Sequence, residues 1–438
     1  MSASHTRGVS TTAALPVFVL HPDADLVATT SGALPRVAVD GAVDFELANH
    51  QLEEVLEACD EQLGLSLIPL RWAVHQIEGP SELVLVAHAR DDALGSGLAW
   101  SSGTTDGSQS LVEHVLAADS APSIIDPPAP EWARRRWYAA AASWAVEMMG
   151  RAGNPPVGRL VLTRVWTLSA LGWIGGERGR CWFKACPPWY RGEMTALATL
   201  RALGTPCLPD VVAIDHDRGW LLMADAGATG PDDPAARAAA ARALGSLQAE
   251  TTSSVPELLA SGWEDRSLRA TADAVAFLFN ETDELSHLEP EERRLLRGLE
   301  GEAVEALQVA PLVANSVVHG DFYFDNVAGS ATRPVILDWS DACVGHPFVD
   351  LVQLQLYGDI PDRDWPDFLD GYLTSWSSAL PLMALRDEAA RVGRVGHLFF
   401  AESYRRIQEC QDPWSRWELA GFLAEHLRLF LRPWREPL

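Results

Sequence analysis

Residues 316–351 constrain the chain most strongly, because two short apolar runs in this stretch each lead to an acidic residue. Ser316–Val318 lies just before Asp321, and residues 334–337 are followed directly by Asp338. Runs of β-branched and aliphatic residues predict strands. Loops at the ends of a rigid sheet carry chemistry more often than packing. The stretch therefore predicts a functional site built on strand ends.

The motif around the first acid reads HGDFYFDN, so Asn326 follows Asp321 by five residues, and Asp338 lies twelve residues further on. A carboxylate at a strand end can accept the proton of an attacking hydroxyl and hold its oxygen in line. Amide and carboxylate oxygens are ligands that Mg²⁺ prefers. Protein kinases arrange a base, a metal-binding Asn and a metal-binding Asp in this order. Asp321 is thus the candidate catalytic base, and Asn326 and Asp338 are the candidate Mg²⁺ ligands.

The same motif resembles that of the aminoglycoside phosphotransferase/choline kinase-like family, whose fold is a shortened protein kinase. The resemblance spans roughly residues 130–438 and is absent before residue 120. It implies an α+β, bilobal protein-kinase-like fold with a β-rich N-lobe and a helical C-lobe, preceded here by a small α/β domain. It also implies ATP and Mg²⁺ as cofactors and phosphate transfer to a hydroxyl of a small molecule. Fold and motif are shared by kinases of antibiotics, amino alcohols and sugars, so the acceptor stays open.

Three further residues are expected to support this loop. Gly320 permits a tight backbone turn, and His319 is expected to anchor the loop by hydrogen bonds. A metal-ligand role for His319 is less favoured, because kinase-type sites bind Mg²⁺ through oxygen. The segment GHPFVDL resembles the family's Gly-Asp-Pro-x-x-Asp-Leu, with His346 at the first acidic position. Asp350 in this segment is expected to be a helix cap or a loop brace.

Nucleotide contacts are expected in the preceding, strand-rich part of the chain. Lys184 ends an aromatic strand, where burial without a partner is costly. The resemblance implies that it contacts the α- and β-phosphates and pairs with Glu193. The loop at residues 166–172 is neither a G-x-G-x-x-G loop nor a Walker A motif, and Ser169 is its candidate phosphate contact. Met223 and Asp225 fall where an interlobe hinge would bind adenine through the backbone.

Composition shifts and periodicity predict the domain organisation. The predicted helix LEEVLEACDEQLGL, residues 52–65, faintly resembles a Nudix box, but of the four charged motif positions only Glu61 keeps the expected residue. An accessory role for its domain is therefore favoured over diphosphate hydrolysis. The predicted segments are a disordered N-terminus (1–14), a small α/β accessory domain (15–99), a linker with one or two helical turns (100–130), an N-lobe with a leading helix (131–228) and a helical C-lobe (229–438).

The charge balance bears on the partners of the chain. With 34 basic and 60 acidic residues, the formal net charge is −26. This argues against nucleic acid or an anionic membrane as the main partner, since both require clustered cations. It is compatible with a cationic acceptor, although an acidic surface also serves solubility alone. Six scattered cysteines without C-x-x-C pairs fit a reducing cytoplasm. We found neither a signal-peptide pattern nor an apolar run long enough to cross a bilayer. The oligomeric state stays open.

Two other functions compete with the kinase hypothesis. The first is a nucleotide-binding regulatory module without turnover, in which the N-terminal domain senses a ligand. The expected residues are present at all three C-lobe positions, Asp321, Asn326 and Asp338, which favours an enzyme over this alternative. The second is a metal-dependent hydrolase built on His319 and the acids. The motif contains no second histidine, which counts against this hydrolase.

Overall fold

The computed structural model describes residues 12–42, 44, 48, 50–76, 81–120 and 127–435. It confirms the α+β class and divides the chain into two compact units. The first unit contains the described residues up to Pro188, together with Val212–Met223 and Cys410–Glu418. The second unit contains Trp189–Val211, Ala224–Glu409 and the described residues from Leu419 onward.

The first unit is built on two sheets. The strands are β1 (Thr12–Leu20), β2 (Val27–Thr29), β3 (Arg36–Asp40), β4 (Leu67–Gln76), β5 (Ser81–Ala89), β6 (Ala99–Ser101), β7 (Val161–Val165), β8 (Ala170–Ile174), β9 (Cys181–Ala185), β10 (Val211–Asp215) and β11 (Trp220–Ala224). Among the described residues, one sheet has the order β4-β5-β1-β2-β6 with β3 added to β1, and the other has the order β10-β11-β9-β8-β7. The helices of this unit are α1 (Leu52–Leu63), α2 (Gln109–Ser120) and α3 (Trp137–Arg151).

Strand β1 shows why the larger sheet is covered on both faces. Successive side chains of a strand point to opposite faces. Val17 and Val19 belong to one buried cluster, whereas Phe18 and Leu20 belong to another. Because both alternating sets are apolar, each face must be covered by another layer.

Helix α2 covers one of these faces and differs from the prediction. The sequence predicts a linker with one or two helical turns here, but the helix has 12 residues. Leu111, Val112 and Val115 lie on its apolar side and are buried with Phe18. The short apolar face was obscured by the Ser- and Gly-rich residues that precede it.

The other face shares its core with the second sheet of the same unit. Helix α3 carries Trp137, whose ring lies 6.0 Å from that of Phe183 and 6.3 Å from that of Trp220. These rings join Val17 and Val19 in one buried cluster. The aromatic residues of α3 therefore pack as core. Strand β1, helix α3 and strand β9 thus share one apolar core.

The second unit is mainly helical. Its helices are α4 (Gly192–Ala202), α5 (Pro234–Thr251), α6 (Val255–Ala260), α7 (Leu268–Asn280), α8 (Pro290–Gly298), α9 (Glu300–Gln308), α10 (Val349–Tyr357), α11 (Trp365–Leu373), α12 (Leu382–Cys410) and α13 (Phe422–Arg435). Its strands are β12 (Ser316–Val318), β13 (Val327–Ser330), β14 (Arg333–Ile336) and β15 (Cys343–Gly345). No helix in the described part of the chain has the length and apolar character that a membrane span requires.

Two short antiparallel pairs position the motif of the second unit. Strand β12 pairs with β15, with Val318 opposite Cys343. Strand β13 pairs with β14, with Val327 opposite Ile336. The loop after β12 and the loop after β14 carry the two predicted acids.

Candidate active site

The loop after β12 has a backbone conformation that requires glycine. Gly320 has φ +85°, in the left-handed region that other residues rarely adopt. A Cβ atom at this position would lie 2.5 Å from the carbonyl oxygen of Asp341. The neighbouring His319 is fully buried, and its Nε2 lies 2.9 Å from the carbonyl oxygen of Leu337. Its Nδ1 accepts the backbone N–H of Asp321 at 3.3 Å. The histidine thus joins the loop after β12 to the end of β14.

Asp350, in the first turn of α10, fixes the backbone of this loop by hydrogen bonds. Its carboxylate accepts the backbone N–H of His319 at 2.9 Å and that of Gly320 at 2.8 Å. It also accepts the side-chain N–H of Gln248 at 2.8 Å. Burial raises the pKa of Asp350 to about 7, and these hydrogen bonds oppose the rise. The carboxyl therefore fixes the backbone that presents Asp321.

The carboxylate of Asp321 is itself held by two amide side chains. Asn326 donates through Nδ2 to Oδ2 at 3.2 Å and to the backbone oxygen of Asp321 at 2.9 Å. Gln353, on α10, donates through Nε2 to Oδ1 at 2.9 Å. Each carboxylate oxygen thus has one fixed donor and keeps further capacity to accept a proton or a hydrogen bond.

The surroundings of this carboxylate are acidic. Burial raises the pKa of Asp321 to about 7, and the nearby charge of Asp341 adds to the rise. Asp338 acts in the same direction, whereas the amide donors oppose it. Tyr190 donates its hydroxyl to Asp341. Burial and the charge of Asp341 raise the pKa of Tyr190 well above its ordinary value. A ligand with positive charge is favoured at such a place.

The second acid of the motif stands in an unusual backbone conformation. Asp338 has φ +57°, which is uncommon for a residue with a side chain and is found most often at functional sites. The next two residues are both bonded to Glu193 of α4. The backbone N–H of Trp339 donates to Glu193 Oε1 at 3.2 Å, and the hydroxyl of Ser340 donates to Oε2 at 3.1 Å. Glu193 is fully buried and supports the segment that presents Asp338.

The donor set fits Mg²⁺ better than a metal that needs a complete protein cage. Because Nδ2 of Asn326 is bonded to Asp321, its Oδ1 is the atom available for a cation. Asp338 supplies carboxylate oxygens. The described residues contain no group of three or more His, Cys, Asp or Glu side chains suited to a metal. Mg²⁺ is commonly held by one or two carboxylates together with phosphates and water.

His346, which stands where the resembling family has an acid, is accommodated by a buried partner. Its Nε2 lies 3.0 Å from Glu388 Oε1, and its Nδ1 accepts the backbone N–H of Phe348. Burial lowers the pKa of His346, so the neutral ring donating from Nε2 matches these contacts. Arg391 binds Glu388 through two hydrogen bonds. Burial acts to raise the pKa of Glu388, but the hydrogen bonds from Arg391 and His346 hold this pKa well below its usual value.

In the first unit, Lys184 lies near the end of β9 and is 6% exposed. It belongs to a different unit from Glu193, and their ion pair stays a prediction. Met223 is buried in β11. Asp225, just after that strand, accepts the backbone N–H of Gly227 at 3.0 Å. The nucleotide roles of these residues also stay predictions.

The loop between β7 and β8 is a tight turn. The backbone N–H of Trp166 donates to the backbone oxygen of Ser169 at 3.1 Å. The indole of Trp166 donates to the hydroxyl of Ser169 at 2.9 Å. The backbone N–H of Thr167 donates to the buried carboxyl of Glu418 at 2.7 Å. A phosphate contact by Ser169 would therefore compete with the existing indole contact.

Several residues of these networks were not found from the sequence. They are Gln353, Gln248, Tyr190, Asp341 as a partner of Tyr190, and Glu418. One signal existed, because Gln353 follows Asp350 by three residues on a predicted helix and so shares its face. The others are far from their partners along the chain and leave no local pattern.

Comparisons with known proteins place the site in context. Residues 178–389 match the family model described as the Phosphotransferase enzyme family. No curated protein sequence gives a significant match to the chain.

Three solved structures are similar at low identity. An aminoglycoside-3'-phosphotransferase of type VIII is 22% identical, over 59% of this chain and 99% of that chain, with a TM-score of 0.41. A choline kinase from Streptococcus pneumoniae is 13% identical, over 65% and 98% of the respective chains, with a TM-score of 0.44. A spectinomycin phosphotransferase, solved with ADP and spectinomycin, is 13% identical, over 67% and 99%, with a TM-score of 0.43.

Proposed function

We infer that the chain belongs, through residues 178–389, to the phosphotransferase enzyme family, and we propose that it is an ATP- and Mg²⁺-dependent small-molecule kinase. The reaction transfers the γ-phosphate of ATP to a hydroxyl group of a small acceptor. Such catalysis consists mainly of positioning the reactants and stabilising charge. The functional question is therefore which groups this chain positions, and how firmly.

The observation that carries the proposal is the way in which Asp321 is held. Its backbone lies in a loop that Asp350 fixes through two N–H groups. Its carboxylate is fixed through both oxygens by Asn326 and Gln353. Two donors on opposite oxygens fix the carboxylate in one orientation. A base that must meet an attacking hydroxyl in one orientation requires such positioning.

In this proposal the acceptor hydroxyl donates a hydrogen bond to Asp321, which orients the oxygen toward the γ-phosphate of ATP. Asp321 takes the proton as the new oxygen–phosphorus bond forms and the bond from the γ-phosphorus to the leaving ADP breaks. Asn326 and Asp338 hold Mg²⁺, which neutralises charge on the phosphates when bound. Asp338 enters this role from a strained backbone conformation that Glu193 supports through the next two residues.

The nucleotide contacts are proposed for the residues identified from the sequence. Lys184 contacts the phosphates, which is the role that the family resemblance implies for a lysine at this place in the strand-rich part of the chain. The backbone around Met223 and Asp225 contacts adenine. Ser169 is the weakest of these assignments, since its hydroxyl already accepts the indole N–H of Trp166.

The acceptor is proposed to carry positive charge. The charges of Asp338 and Asp341 both act to raise the pKa of Asp321, so the surroundings of its carboxyl group are acidic. An ammonium group on the acceptor would offset part of this repulsion. Aminosugars and amino alcohols have such a group beside a hydroxyl.

The test is to incubate the protein with Mg-ATP and a panel of aminoglycosides, amino alcohols, neutral sugars and nucleosides, and to measure ADP release. The proposal predicts acceptor-dependent release with at least one amine-bearing compound. ATP binding without turnover on any acceptor would instead favour a nucleotide-binding regulatory module. Release with neutral sugars only would overturn the cationic acceptor and keep the kinase.

A further inference from the structure

Helix α10 contacts the motif loop at two successive positions of one face. Asp350 accepts the backbone N–H groups of His319 and Gly320. Gln353, three residues later, reaches the side chain of the next residue in the loop, Asp321. Residues three apart on a helix are neighbours on its surface. The N-terminal half of α10 therefore holds both the backbone of the loop and the carboxylate at its end.

We propose that Gln353 is a positioning residue for phosphate transfer, which fixes the orientation of the Asp321 carboxylate through Oδ1. This inference rests on the proposed function, in which Asp321 is the base. Asn326 alone would leave the carboxylate free to turn about its Cβ–Cγ bond, because it contacts only Oδ2 of that group. Gln353 donates to the other carboxylate oxygen, Oδ1, and this second hydrogen bond prevents the rotation.

The side chain of Gln353 donates to Asp321 through Nε2, but its other polar atom, Oε1, gains no hydrogen bond among the described residues. Gln353 is 4% exposed, and its Oε1 is buried with no hydrogen-bond partner among the described residues. An unsatisfied buried carbonyl is unfavourable for folding. An apolar side chain of similar size would avoid that penalty. A glutamine at this position is thus better explained by its effect on Asp321 than by stability.

Two other glutamines provide matched controls. Gln411 is fully buried in the first unit and also has an unpartnered Oε1, while its Nε2 donates to the backbone oxygen of Ser415 at 3.2 Å. It belongs to the first unit, whereas the motif loop belongs to the second. Gln248 is buried with both ends bonded, since Nε2 donates to Asp350 and Oε1 accepts the hydroxyl of Tyr372.

The experiment compares Gln353→Met with Gln411→Met and Gln248→Met, using the full chain and an acceptor found in the panel. Met fills a similar volume without hydrogen bonds. We expect Gln353→Met to lower kcat by about 10- to 100-fold, to leave the Kd for Mg-ATP within twofold, and to keep Tm close to that of the parent. Gln411→Met should leave kcat unchanged. Gln248→Met should lower Tm and kcat together, because it removes a fully bonded group.

The outcomes separate this inference from the proposed function. If the parent protein phosphorylates an acceptor and Gln353→Met keeps its kcat, Gln353 does not position the base. A parallel loss of Tm, Mg-ATP affinity and kcat would assign Gln353 a merely structural role. Should Gln353→Met fail to fold, Gln353→Asn keeps the amide but shortens its reach, and it must show the same loss of kcat at unchanged nucleotide affinity. If the parent phosphorylates no acceptor, the proposed function itself fails.

Discussion

Asp350 and Gly320 are joined by a hydrogen bond of 2.8 Å from the backbone N–H of the glycine to Oδ1 of the carboxyl group. The same carboxyl accepts the backbone N–H of His319. Asp350→Ala would leave both buried donors without partners. At roughly 1–3 kcal/mol for each lost partner, the free energy of unfolding should fall by about 2–6 kcal/mol. Urea unfolding measures this, with the exposed Asp273→Asn as a control expected to change little. A change below about 0.5 kcal/mol for Asp350→Ala would contradict the bracing role.

Gly320→Ala should reduce the stability of the protein more than Gly204→Ala, because the two glycines have similar φ angles but only Gly320 lacks room for a Cβ atom. Gly320 and Gly204 have φ of +85° and +79°. A Cβ at Gly320 would lie 2.5 Å from the backbone oxygen of Asp341, whereas nothing lies within 4 Å of one at Gly204. Gly204→Ala should cost only the backbone preference, about 1–2 kcal/mol. Gly320→Ala should cost about 1–3 kcal/mol more and displace Asp321. Equal losses of Tm in the two variants would show that the contact with Asp341 is not limiting.

Glu418 should make the stability of the protein depend on pH. Burial raises the pKa of Glu418 from its usual 4.5 to about 8. The hydrogen bond from the N–H of Thr167 and the charge of Arg71 oppose this rise, whereas the charge of Asp412 adds to it. In this range the folded protein binds a proton that the unfolded chain releases. Stability should therefore fall as pH rises from about 4.5 to about 8, with a slope that approaches about 1.4 kcal/mol per unit.

The variant Glu418→Gln keeps an oxygen for the N–H of Thr167 but cannot ionise. Its unfolding free energy should vary less across this window, and at pH 8 it should exceed that of the parent protein. Chemical denaturation at pH 5, 6, 7 and 8 measures both slopes. The exposed Glu305→Gln serves as the control. Identical slopes for Glu418→Gln and the parent would show that the carboxyl is ionised at all these pH values.

Lys184→Met tests the proposed phosphate contact. Lys184 is 6% exposed, and Met retains much of its length and apolar volume. Loss of the charge should weaken Mg-ATP binding about 10- to 100-fold, since a charge-assisted hydrogen bond contributes roughly 1.5–3 kcal/mol. Isothermal titration calorimetry gives the Kd. Arg159→Gln, at an exposed position of the same unit, should leave it unchanged. Unaltered affinity in Lys184→Met would exclude the phosphate role.

The sequence predicted the elements whose residues repeat regularly. Helix α1 ends before Gly64, which adopts the left-handed conformation expected of a C-terminal cap, with φ +65°. Helix α2 was underestimated because its apolar face is only three buried residues wide. The helix is stabilised by burial against β1, which is distant in the sequence, so the local pattern of residues does not reveal it.

The candidate site was predictable where its residues share one motif. Asp321, Asn326 and Asp338 lie in one short stretch, and the geometry around Asp321 follows from that stretch and α10. The contacts of Glu193 with Trp339 and of Glu418 with Thr167 join residues 146 and 251 positions apart. No spacing rule relates such residues, because tertiary packing alone brings them together.

Asp321→Asn tests the central claim most directly. The measurement is transfer of labelled γ-phosphate from Mg-ATP to the acceptor that supports ADP release, with Asp325→Asn, an exposed residue of the same loop, as the control. Asparagine keeps the size of the side chain but cannot accept the proton as a carboxylate does. Transfer should fall by about 10²- to 10⁴-fold in Asp321→Asn, with Mg-ATP affinity unchanged and Asp325→Asn active. Transfer by Asp321→Asn at the rate of the parent protein would contradict the assignment of Asp321 as the catalytic base.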